Sequence, residues 1–412
     1  MCSVLTSRYI ESRGGSLISW SACLLVIILV SCVDADADSP SIYDTGVAGE
    51  SVDGAVGGVM TTDQGLEMAL DQSSEMEIIP PTQVSIATYN VQNLFDFMDD
   101  PDRDEGEFTP NVADWSRSTY EAKVSAIAEA ITLIDADIIA LQEVESDEVL
   151  GALASEVKRR GGPDYLYRAT SSTRDPRGIA LGVLSIYPLS REIGRPISAS
   201  VMCSNGETLN GSRPEARPIY EVNLWSDGSG GGGGGGAVSL TLLINHWKSR
   251  ASGNYPCLVR EHHRRGAEQT RGLLRDWLSQ EPERSVAVLG DFNAEESETA
   301  LGVGINAYLN AAELNEIGAL YNLWGELGVT ASSSNNATNS TYLYEGEWFR
   351  LDHMMITAPM TRNGGGAWQL STFELIRDAR LLNNGRPFSW NGRTHEGYSD
   401  HLPLKMTLSL RR

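Results

Sequence analysis

Several short apolar segments, far apart in this chain, each end in a carboxylate, an amide or an imidazole. The polar residues at or beside these ends are Asn90, Glu143, His246, Asp291, Asn293, Asp352, Asp400 and His401. Apolar segments of this length are typical of buried strands, which deliver their last side chains to the edge of a sheet. Because a charged group is costly to bury without a partner, we expect these side chains to meet at one site.

The apolar periodicity predicts more strands than helices. Strands are predicted over residues 84–91, 138–144, 179–185, 219–225, 238–245, 286–289, 353–356 and 402–408. Helices are predicted over residues 120–133, 147–159 and 260–278. This mixture favours sheets covered by helices over a simple alternating barrel. The glycine run 230–236 is interpreted as a flexible hairpin insertion.

Residues 1–32 have the pattern of an export signal. Arg8 and Arg13 precede the apolar run Leu24–Val30, which is short for a membrane span. The run ends in Leu-Val-Ser-Cys, which resembles a bacterial lipobox, so we predict that Cys32 is lipidated and anchors the protein to a membrane. A plain signal peptide is the alternative. Either reading predicts export, as a cell-envelope lipoprotein or an extracellular protein.

The formal net charge of −23 is unevenly distributed along the chain. Residues 33–82 hold eleven acidic residues and no Lys or Arg, which predicts a solvated, disordered linker. The folded domain is expected to span residues 83–412. Because this domain is also acidic, a broad basic surface for nucleic acid is disfavoured, but a nuclease with local positive charge is not excluded.

Export would leave two cysteines besides the lipidated one, Cys203 and Cys257. Cysteines of an exported protein can be oxidised, so we predict a disulfide between them, with two free thiols as the alternative. In the chain-entropy model such a bond contributes roughly 4 kcal/mol to stability.

Leu-Gly-Asp-Phe-Asn, at residues 289–293, is the most informative local motif. If the chain stays extended there, Asp291 and Asn293 point to the same side and offer a carboxylate and an amide to one phosphate or metal ion. A turn stabilised by local hydrogen bonds is the alternative.

Glu143 also ends an apolar strand, as does Asn90. A carboxylate at such a position suits Mg²⁺ or Mn²⁺, unless it is an exposed edge residue.

His246 and His401 lie at strand ends beside acidic or amide neighbours. A catalytic histidine needs a partner that fixes its tautomer, and Asp352 is the candidate that would orient His401 as a base. Asp400 would then face the metal ion or the attacking water. The remaining histidines are interpreted as structural; they are His262, His263, His353 and His395.

Three basic residues could hold a phosphate group, namely Arg177, Lys248 and Arg250. Ordinary surface positions are the alternative for each, because Arg and Lys are common at protein surfaces. The arginines of segment 260–275 are interpreted as the solvated face of a helix.

Together these motifs resemble the endonuclease/exonuclease/phosphatase superfamily over residues 84–410. The matching positions are Asn90, Gln142, Glu143, Asn245, His246, Gly290, Asp291, Phe292, Asn293, Asp352, Ser399, Asp400 and His401. The segment 245–250, Asn-His-Trp-Lys-Ser-Arg, is similar to the exported bacterial branch, described as predicted extracellular nucleases. Gln92 departs from family nucleases, which often carry an acid there. The Pro-Ala-Trp-Cys-Asp-Arg signature of inositol-polyphosphate 5-phosphatases is absent around 348–352, which counts against a phosphoinositide substrate.

The resemblance implies an α/β (α+β) fold, a four-layer sandwich of two mixed β-sheets flanked by helices. It also implies Mg²⁺ or Mn²⁺ as the cofactor, with Glu143 as the principal ligand, aided by Asn90 and Asp400. Such an ion neutralises charge on the phosphate and lowers the pKa of bound water.

The resemblance further implies catalytic roles. Asp291 and Asn293 would position the water and the phosphate. His401, oriented by Asp352, would act as the base or contact the phosphate. His246 would stabilise the pentacovalent phosphorus and protonate the leaving group.

The sequence therefore predicts an exported, metal-dependent phosphodiesterase that acts as a monomer, with a nuclease on extracellular DNA or RNA as the leading hypothesis. The alternative is a phospholipid or sphingomyelin phosphodiesterase, or another phosphoesterase of this fold. A lipid enzyme normally exposes an apolar hairpin to the membrane, and the glycine run offers none. A non-catalytic binding module is a third class, whose expected mark is the loss of Glu143, Asp291 or His401.

Overall fold

The computed structural model describes residues 80–110, 112, 114–197, 217–225, 238–250 and 256–411. The predicted export signal with Cys32, nearly all of the acidic linker, the glycine run and Cys203 lie outside the described residues. Cys257 is disulfide-bonded, and its pairing with Cys203 stays a prediction. Among the described helices, none is long and apolar enough to cross a membrane.

The described residues form two large β-sheets, two small hairpins and three α-helices. In chain order the strands are β1 (Gln83–Leu94), β2 (Ile138–Val144), β3 (Tyr167–Thr170), β4 (Ala180–Ser185), β5 (Leu189–Pro196), β6 (Pro218–Leu224), β7 (Leu240–His246), β8 (Ser285–Asp291), β9 (Ala307–Tyr308), β10 (Leu320–Asn322), β11 (Tyr342–Tyr344), β12 (Glu347–Phe349), β13 (Asp352–Thr357), β14 (Trp368–Leu375), β15 (Leu382–Asn383), β16 (Arg386–Pro387) and β17 (Leu404–Leu410). The α-helices are α1 (Arg117–Ile134), α2 (Asp147–Arg159) and α3 (Pro256–Gln280). Short 3₁₀ helices cover Gly106–Phe108, Ala311–Glu313, Leu323–Leu327, Ala358–Met360 and Ala379–Leu381, and a π-helical segment covers Ala300–Ile305.

Each predicted strand and helix is present in the structure, and β2 and α2 match their predicted bounds at both ends. The longer strands that the sequence analysis missed are β3, β5 and β14, each at the edge of a sheet. Edge strands bury less apolar surface than central strands, so their sequences carry a weaker periodic signal.

Two serines begin the helices that cover the first sheet. The Ser116 side chain accepts a hydrogen bond from the Thr119 amide at the start of α1, and Ser146 accepts one from Val149 at the start of α2. Such caps satisfy amide groups that have no partner inside the helix, and each contributes about 1 kcal/mol.

Both large sheets have a pair of parallel strands at their centre. The first sheet has the order β14-β17-β1-β2-β4-β3, with β1 and β2 parallel. The second has the order β5-β6-β7-β8-β13-β10-β9, with β7 and β8 parallel. The strands that flank each central pair are antiparallel to it. The central strands therefore end at the edge where their flanking strands begin.

The sheets pack face to face, and helices cover their outer faces. Ile86 of the first sheet and Leu242 of the second share one buried core between the sheets. Helices α1 and α2 cover the first sheet over a second buried core that includes Ile127, and α3 covers the second sheet over a third core that includes Leu274. The four-layer sandwich implied by the resemblance is confirmed.

Gly290 allows β7 and β8 to lie close together just before the site residues. Its φ is +131°, and a Cβ atom added to it would lie 2.0 Å from the Asn245 carbonyl oxygen. Both the backbone conformation and the space therefore require glycine in Leu-Gly-Asp-Phe-Asn.

The loop after β1 brings several carboxylates together near the end of β2. Asp100, Glu105 and Glu145 each place an oxygen within 4.8 Å of the others, and Glu105 and Glu145 are each only 3% exposed. The Asp96 amide donates to Glu145 over 2.6 Å. Burial, together with the nearby acids Asp96 and Glu105, raises the pKa of Glu145 to about 7, although the hydrogen bond from the Asp96 amide acts in the opposite direction.

Replacing Glu145 with Gln should stabilise the protein at alkaline pH. A carboxyl group whose pKa is raised from 4.5 to about 7 on folding binds more protons in the folded state, so stability falls as the pH rises through this window. Glu145→Gln keeps an oxygen for the Asp96 amide but removes this loss. The variant should exceed the wild type in free energy of unfolding by roughly 1 to 3 kcal/mol near pH 8, and by little near pH 4.5.

Urea unfolding at both pH values measures this difference. Glu107→Gln, at an exposed carboxylate of the same loop, is the matched control and should follow the wild type at each pH. An equal difference between wild type and Glu145→Gln at both pH values would contradict the prediction.

Candidate active site

The ends of the central strands open on one cleft with a volume of about 440 Å³. The described residues that line it are Glu143, Ser249, Arg250, Asp291, Asn293, Tyr342, Tyr344, Phe349, Leu351, Asp400 and His401. The carboxylates of Glu143, Asp291 and Asp400, which come from separate motifs, therefore share one cleft with His401, while His246 is not among the described residues that line it.

The register of the second sheet places three of the predicted residues in one row. His246 is opposite Asp291 across the parallel pair β7 and β8, and Asp352 is opposite Asp291 across β8 and β13. In the first sheet, Asn90 is opposite Gln142, one residue before Glu143. Site residues distant in sequence thus become neighbours because their strands are adjacent.

Positive φ angles occur at several polar residues of this edge. Glu143 has a φ of 66°, Asn93 of 57° and Asn293 of 47°. Non-glycine residues rarely adopt this conformation, which costs of order 1 to 3 kcal/mol. The ladder between β2 and β4 slips at Glu143, between Gln142 and Val144. Glu143 therefore departs from the alternation of its strand at the position where it lines the cleft.

Asp291 is buried and accepts hydrogen bonds from both sheets. Asn90 Nδ2 donates to Asp291 Oδ2 over 3.0 Å, and the Asn293 amide donates to Asp291 Oδ1 over 2.8 Å. The same Asn90 Nδ2 lies 3.3 Å from Glu143 Oε1, so it bridges two carboxylates. Burial raises the pKa of Asp291 above its usual range, although His401 lies nearby.

Asn90 Oδ1 accepts a hydrogen bond from the Gln92 amide over 3.0 Å. The side chain thus turns its nitrogen, and not its oxygen, toward the carboxylates. Its role as a metal ligand stays a prediction.

Asp352 and His401 form a hydrogen-bonded pair. His401 Nδ1 lies 2.7 Å from Asp352 Oδ2, and His401 Nε2 lies 3.9 Å from Asp291 Oδ2. Burial alone would lower the pKa of His401, but Asp352, Asp291 and Asp400 outweigh it and hold this pKa well above its usual value. The predicted pairing is therefore present, and it favours a protonated imidazole.

His246 has the opposite electrostatic environment. Its Nε2 lies 3.6 Å from Glu143 Oε1 and 3.7 Å from Asp291 Oδ2, but Arg217 Nη1 lies closer, at 3.2 Å. Because a guanidinium only donates, Nε2 must be the acceptor, which assigns the ring proton to Nδ1. Burial, followed by the charges of Arg217 and Arg177, lowers the pKa of His246 well below its usual value.

Among the described residues, the cleft wall includes Arg250 but neither Arg177 nor Lys248. Arg250 Nε donates to the Asn293 carbonyl over 2.9 Å. Arg177 donates to Asn93 Oδ1 over 3.1 Å and pairs with Asp175 at 3.2 Å. Lys248 is buried, with 7% of its surface exposed. Phosphate binding by these three residues stays a prediction.

Sequence reasoning missed two residues that touch the site histidines. Arg217 donates to the Trp247 carbonyl over 2.6 Å as well as to His246. Its only sequence signal is its position just before β6, which flanks β7. Tyr342 forms an isolated β-bridge with His401, and their ring centroids lie 4.7 Å apart. No local motif marks Tyr342.

The donor atoms at this edge fit a hard divalent cation. Glu143, Asp291 and Asp400 offer carboxylate oxygens to one cleft, the ligand type that Mg²⁺ and Mn²⁺ prefer. Asp291, Asp352 and His401 also have ligand atoms within 4.8 Å of one another. Asp352 and His401 are hydrogen-bonded to each other. The carboxylate oxygens of Glu143, Asp291 and Asp400 are therefore the better donors to a metal ion.

Comparison with known proteins reveals solved structures that are similar to this chain. An endonuclease/exonuclease/phosphatase from Bacteroides vulgatus is 14% identical, with a TM-score of 0.46, and the match covers 80% of this chain and 100% of that one. TDP2 from C. elegans is 13% identical, with a TM-score of 0.45, covering 79% and 75%. D. rerio TDP2 complexed with single strand DNA product is 15% identical, with a TM-score of 0.45, covering 80% and 100%.

Among curated proteins no match to this chain is found. A family model described as the endonuclease/exonuclease/phosphatase family matches residues 85–191 and 236–410, together more than half of the chain. Both segments contain cleft residues, Glu143 in the first and Asp291 and His401 in the second. The chain therefore belongs to the endonuclease/exonuclease/phosphatase family.

Proposed function

We propose that this protein hydrolyses phosphodiester bonds with the help of Mg²⁺ or Mn²⁺, and that nucleic acid is its substrate. Membership of the family supports phosphoesterase activity. The observation that carries the proposal is the meeting of Glu143, Asp291 and Asp400 in one cleft beside the bonded pair of His401 and Asp352.

Glu143 and Asp400 are the proposed metal ligands. Asn90 would join them through Oδ1, the atom that also accepts from the Gln92 amide, while Asp291 is kept as the proposed base. A bound divalent cation would neutralise charge on the phosphate and lower the pKa of bound water. Asn93 holds Glu143 in place, because its backbone amide donates to Glu143 Oε2 over 2.9 Å. Ser399 fixes the start of the Asp400 segment by donating to the Asn90 carbonyl over 2.7 Å.

Asp291 is the proposed acceptor of the proton from the attacking water. Its raised pKa brings it toward the range in which a general base works best, and the Asn90 and Asn293 donors fix its orientation. His401 is proposed to donate to a phosphate oxygen. Asp352 engages its Nδ1 and keeps it charged, so Nε2 carries the proton that the phosphate needs.

His246 is proposed to act as a neutral residue, since Arg217 occupies its Nε2. Protonation of the leaving group by a His246 imidazolium is disfavoured by this environment. Arg217 is 12% exposed and lies 3.7 Å from Asp175, which helps to hold its guanidinium. We propose that Arg217 positions His246 and contributes positive charge beside the phosphate.

Nucleic acid is favoured over lipid by the surface around the cleft. Of the large apolar side chains exposed in the described residues, Tyr344 alone lines the cleft. The turn between β15 and β16 consists of Asn384 and Gly385, so the tip of that hairpin carries no apolar side chain. A lipid phosphodiesterase requires an apolar surface for the membrane.

Export and a lipid anchor at Cys32 are proposed on the pattern of residues 1–32 alone. We also propose that the protein acts as a monomer. The acidic linker to residue 82 would then hold the enzyme away from the membrane surface.

A substrate panel tests the proposal. Purified protein with Mg²⁺ or Mn²⁺ should cleave plasmid DNA or RNA, EDTA should stop cleavage, and added metal should restore it, because the carboxylates need the cation to hold phosphate. Sphingomyelin and phosphatidylcholine vesicles should remain intact. Hydrolysis of lipid alone would contradict the proposal that nucleic acid is the substrate. Hydrolysis of none of these substrates would contradict the proposed enzymatic activity.

Glu143→Gln and His401→Ala should each lower kcat by roughly 100-fold or more while the protein stays folded. Glu143→Gln should also weaken Mn²⁺ binding in a calorimetric titration, whereas His401→Ala should not, because we assign the histidine to the phosphate. His395→Ala, at an exposed histidine outside the cleft wall, is the control. Near-normal turnover in either site variant would refute its assigned role.

Arg217→Ala should lower kcat/KM by about 10- to 100-fold, the expected loss for a charge-assisted hydrogen bond. Arg217→Lys keeps the charge but cannot bond to both His246 and the Trp247 carbonyl in the same way, so it should recover only part of the activity. Arg362→Ala is the matched control. Arg362 is exposed and follows β13 at the end remote from the site residue Asp352. Wild-type kinetics in Arg217→Ala would show that the contact with His246 has no catalytic role.

A further inference from the structure

The hairpin of β11 and β12 forms one wall of the cleft. Its turn consists of Glu345 and Gly346, with φ angles of 48° and 89°, a conformation typical of a tight two-residue hairpin turn. Tyr342, Tyr344 and Phe349 of this hairpin all line the cleft. The catalytic roles proposed above use none of these three side chains.

Strand alternation places these rings on one face. Tyr342 is opposite Phe349, and Tyr344 is opposite Glu347, so these four side chains share a face. Leu343 and its partner Trp348 belong to the other face and do not line the cleft among the described residues. We call the face formed by Tyr342, Tyr344 and Phe349 the aromatic face.

The aromatic face is held directly beside the catalytic residues. Tyr342 forms a β-bridge with His401, with ring centroids 4.7 Å apart. The Leu402 amide donates to the Thr341 carbonyl over 2.9 Å, which joins the hairpin to the segment after His401. A planar group stacked on the aromatic face would therefore lie next to a phosphate held by His401.

We infer that the aromatic face stacks the nucleobase of a nucleotide next to the cleaved phosphate, in an unpaired strand. This inference rests on the proposed function and defines its substrate class. Base stacking on aromatic side chains is favourable for any base sequence. Tyr344 is 52% exposed, so its ring is accessible to a base.

The charges near Tyr344 favour a base over an acyl chain. Glu347 lies opposite Tyr344 on the same face, and Glu345 is at the turn; both are exposed. Carboxylates at the outer end of the face oppose insertion into a bilayer, whereas the amino groups of bases can donate to them. In a duplex the faces of the bases are already stacked on their neighbours, so an unpaired strand is the better substrate.

A binding experiment without turnover tests the inference. In the Glu143→Gln background, a single-stranded oligonucleotide that contains 2-aminopurine should bind with quenched fluorescence, because stacking quenches this base. Adding Tyr344→Ala should raise Kd by roughly 5- to 150-fold, the loss expected for one stacked base. Tyr344→Phe, which keeps the ring, should restore most of the affinity. Leu343→Ala, on the opposite face of the same strand, is the matched control and should leave Kd unchanged.

An oligonucleotide of abasic units separates stacking from a general loss of structure. It should bind more weakly than the normal strand, and Tyr344→Ala should add no further loss, because no base is present to stack. Equal losses from Tyr344→Ala with the normal and the abasic strand would overturn the inference, as would unchanged affinity for the normal strand.

The outcome is distinguishable from failure of the proposed function. If the wild type cleaves no nucleic acid but Tyr344 still governs strand binding, the face is a base platform and the proposed nuclease activity is wrong. If Tyr344→Ala weakens binding to sphingomyelin vesicles and not to the oligonucleotide, the hairpin serves a lipid surface and the inference fails.

Discussion

The hydrogen bonds that tie the buried carboxylate of Asp291 to both sheets are the interaction on which the site depends. Asn90, near the end of β1, reaches across to Asp291, at the end of β8, and also contacts Glu143. A buried carboxylate without such donors would be strongly destabilising. The packing of one sheet on the other is therefore coupled to the geometry of the cleft, and a shift between the sheets would break the bridge between the two carboxylates.

The same edge gives two histidines opposite charge states through their neighbours. His401 faces Asp352 and Asp291, which favour its protonated form, whereas His246 is buried beside Arg217, which favours its neutral form. This contrast separates the proposed phosphate donor His401, which lines the cleft, from the neutral His246 behind it. Roles assigned to histidines by motif position alone would not distinguish them.

Two features near the cleft, positive charge and an aromatic surface, would allow an acidic protein to hold a polyanion. Arg250 lines the cleft and Arg217 lies beside His246, so two positive charges lie at or near the cleft of a chain whose net charge is −23. The β11–β12 hairpin adds rings that need no net charge to bind a base. Affinity would then depend on the cleft itself and not on a broad basic surface.

The sequence by itself determined the central strands and the helices, and it named the candidate site residues, because strand periodicity and short motifs such as Leu-Gly-Asp-Phe-Asn are local properties. It left out the edge strands, whose periodic signal is weak. Only the tertiary structure decided that Arg217 meets His246, that Tyr342 packs on His401 and that Asn90 turns its nitrogen toward the carboxylates. These contacts join residues far apart in the chain, and the protonation states that follow from them depend on burial and on neighbouring charges, which no linear pattern contains.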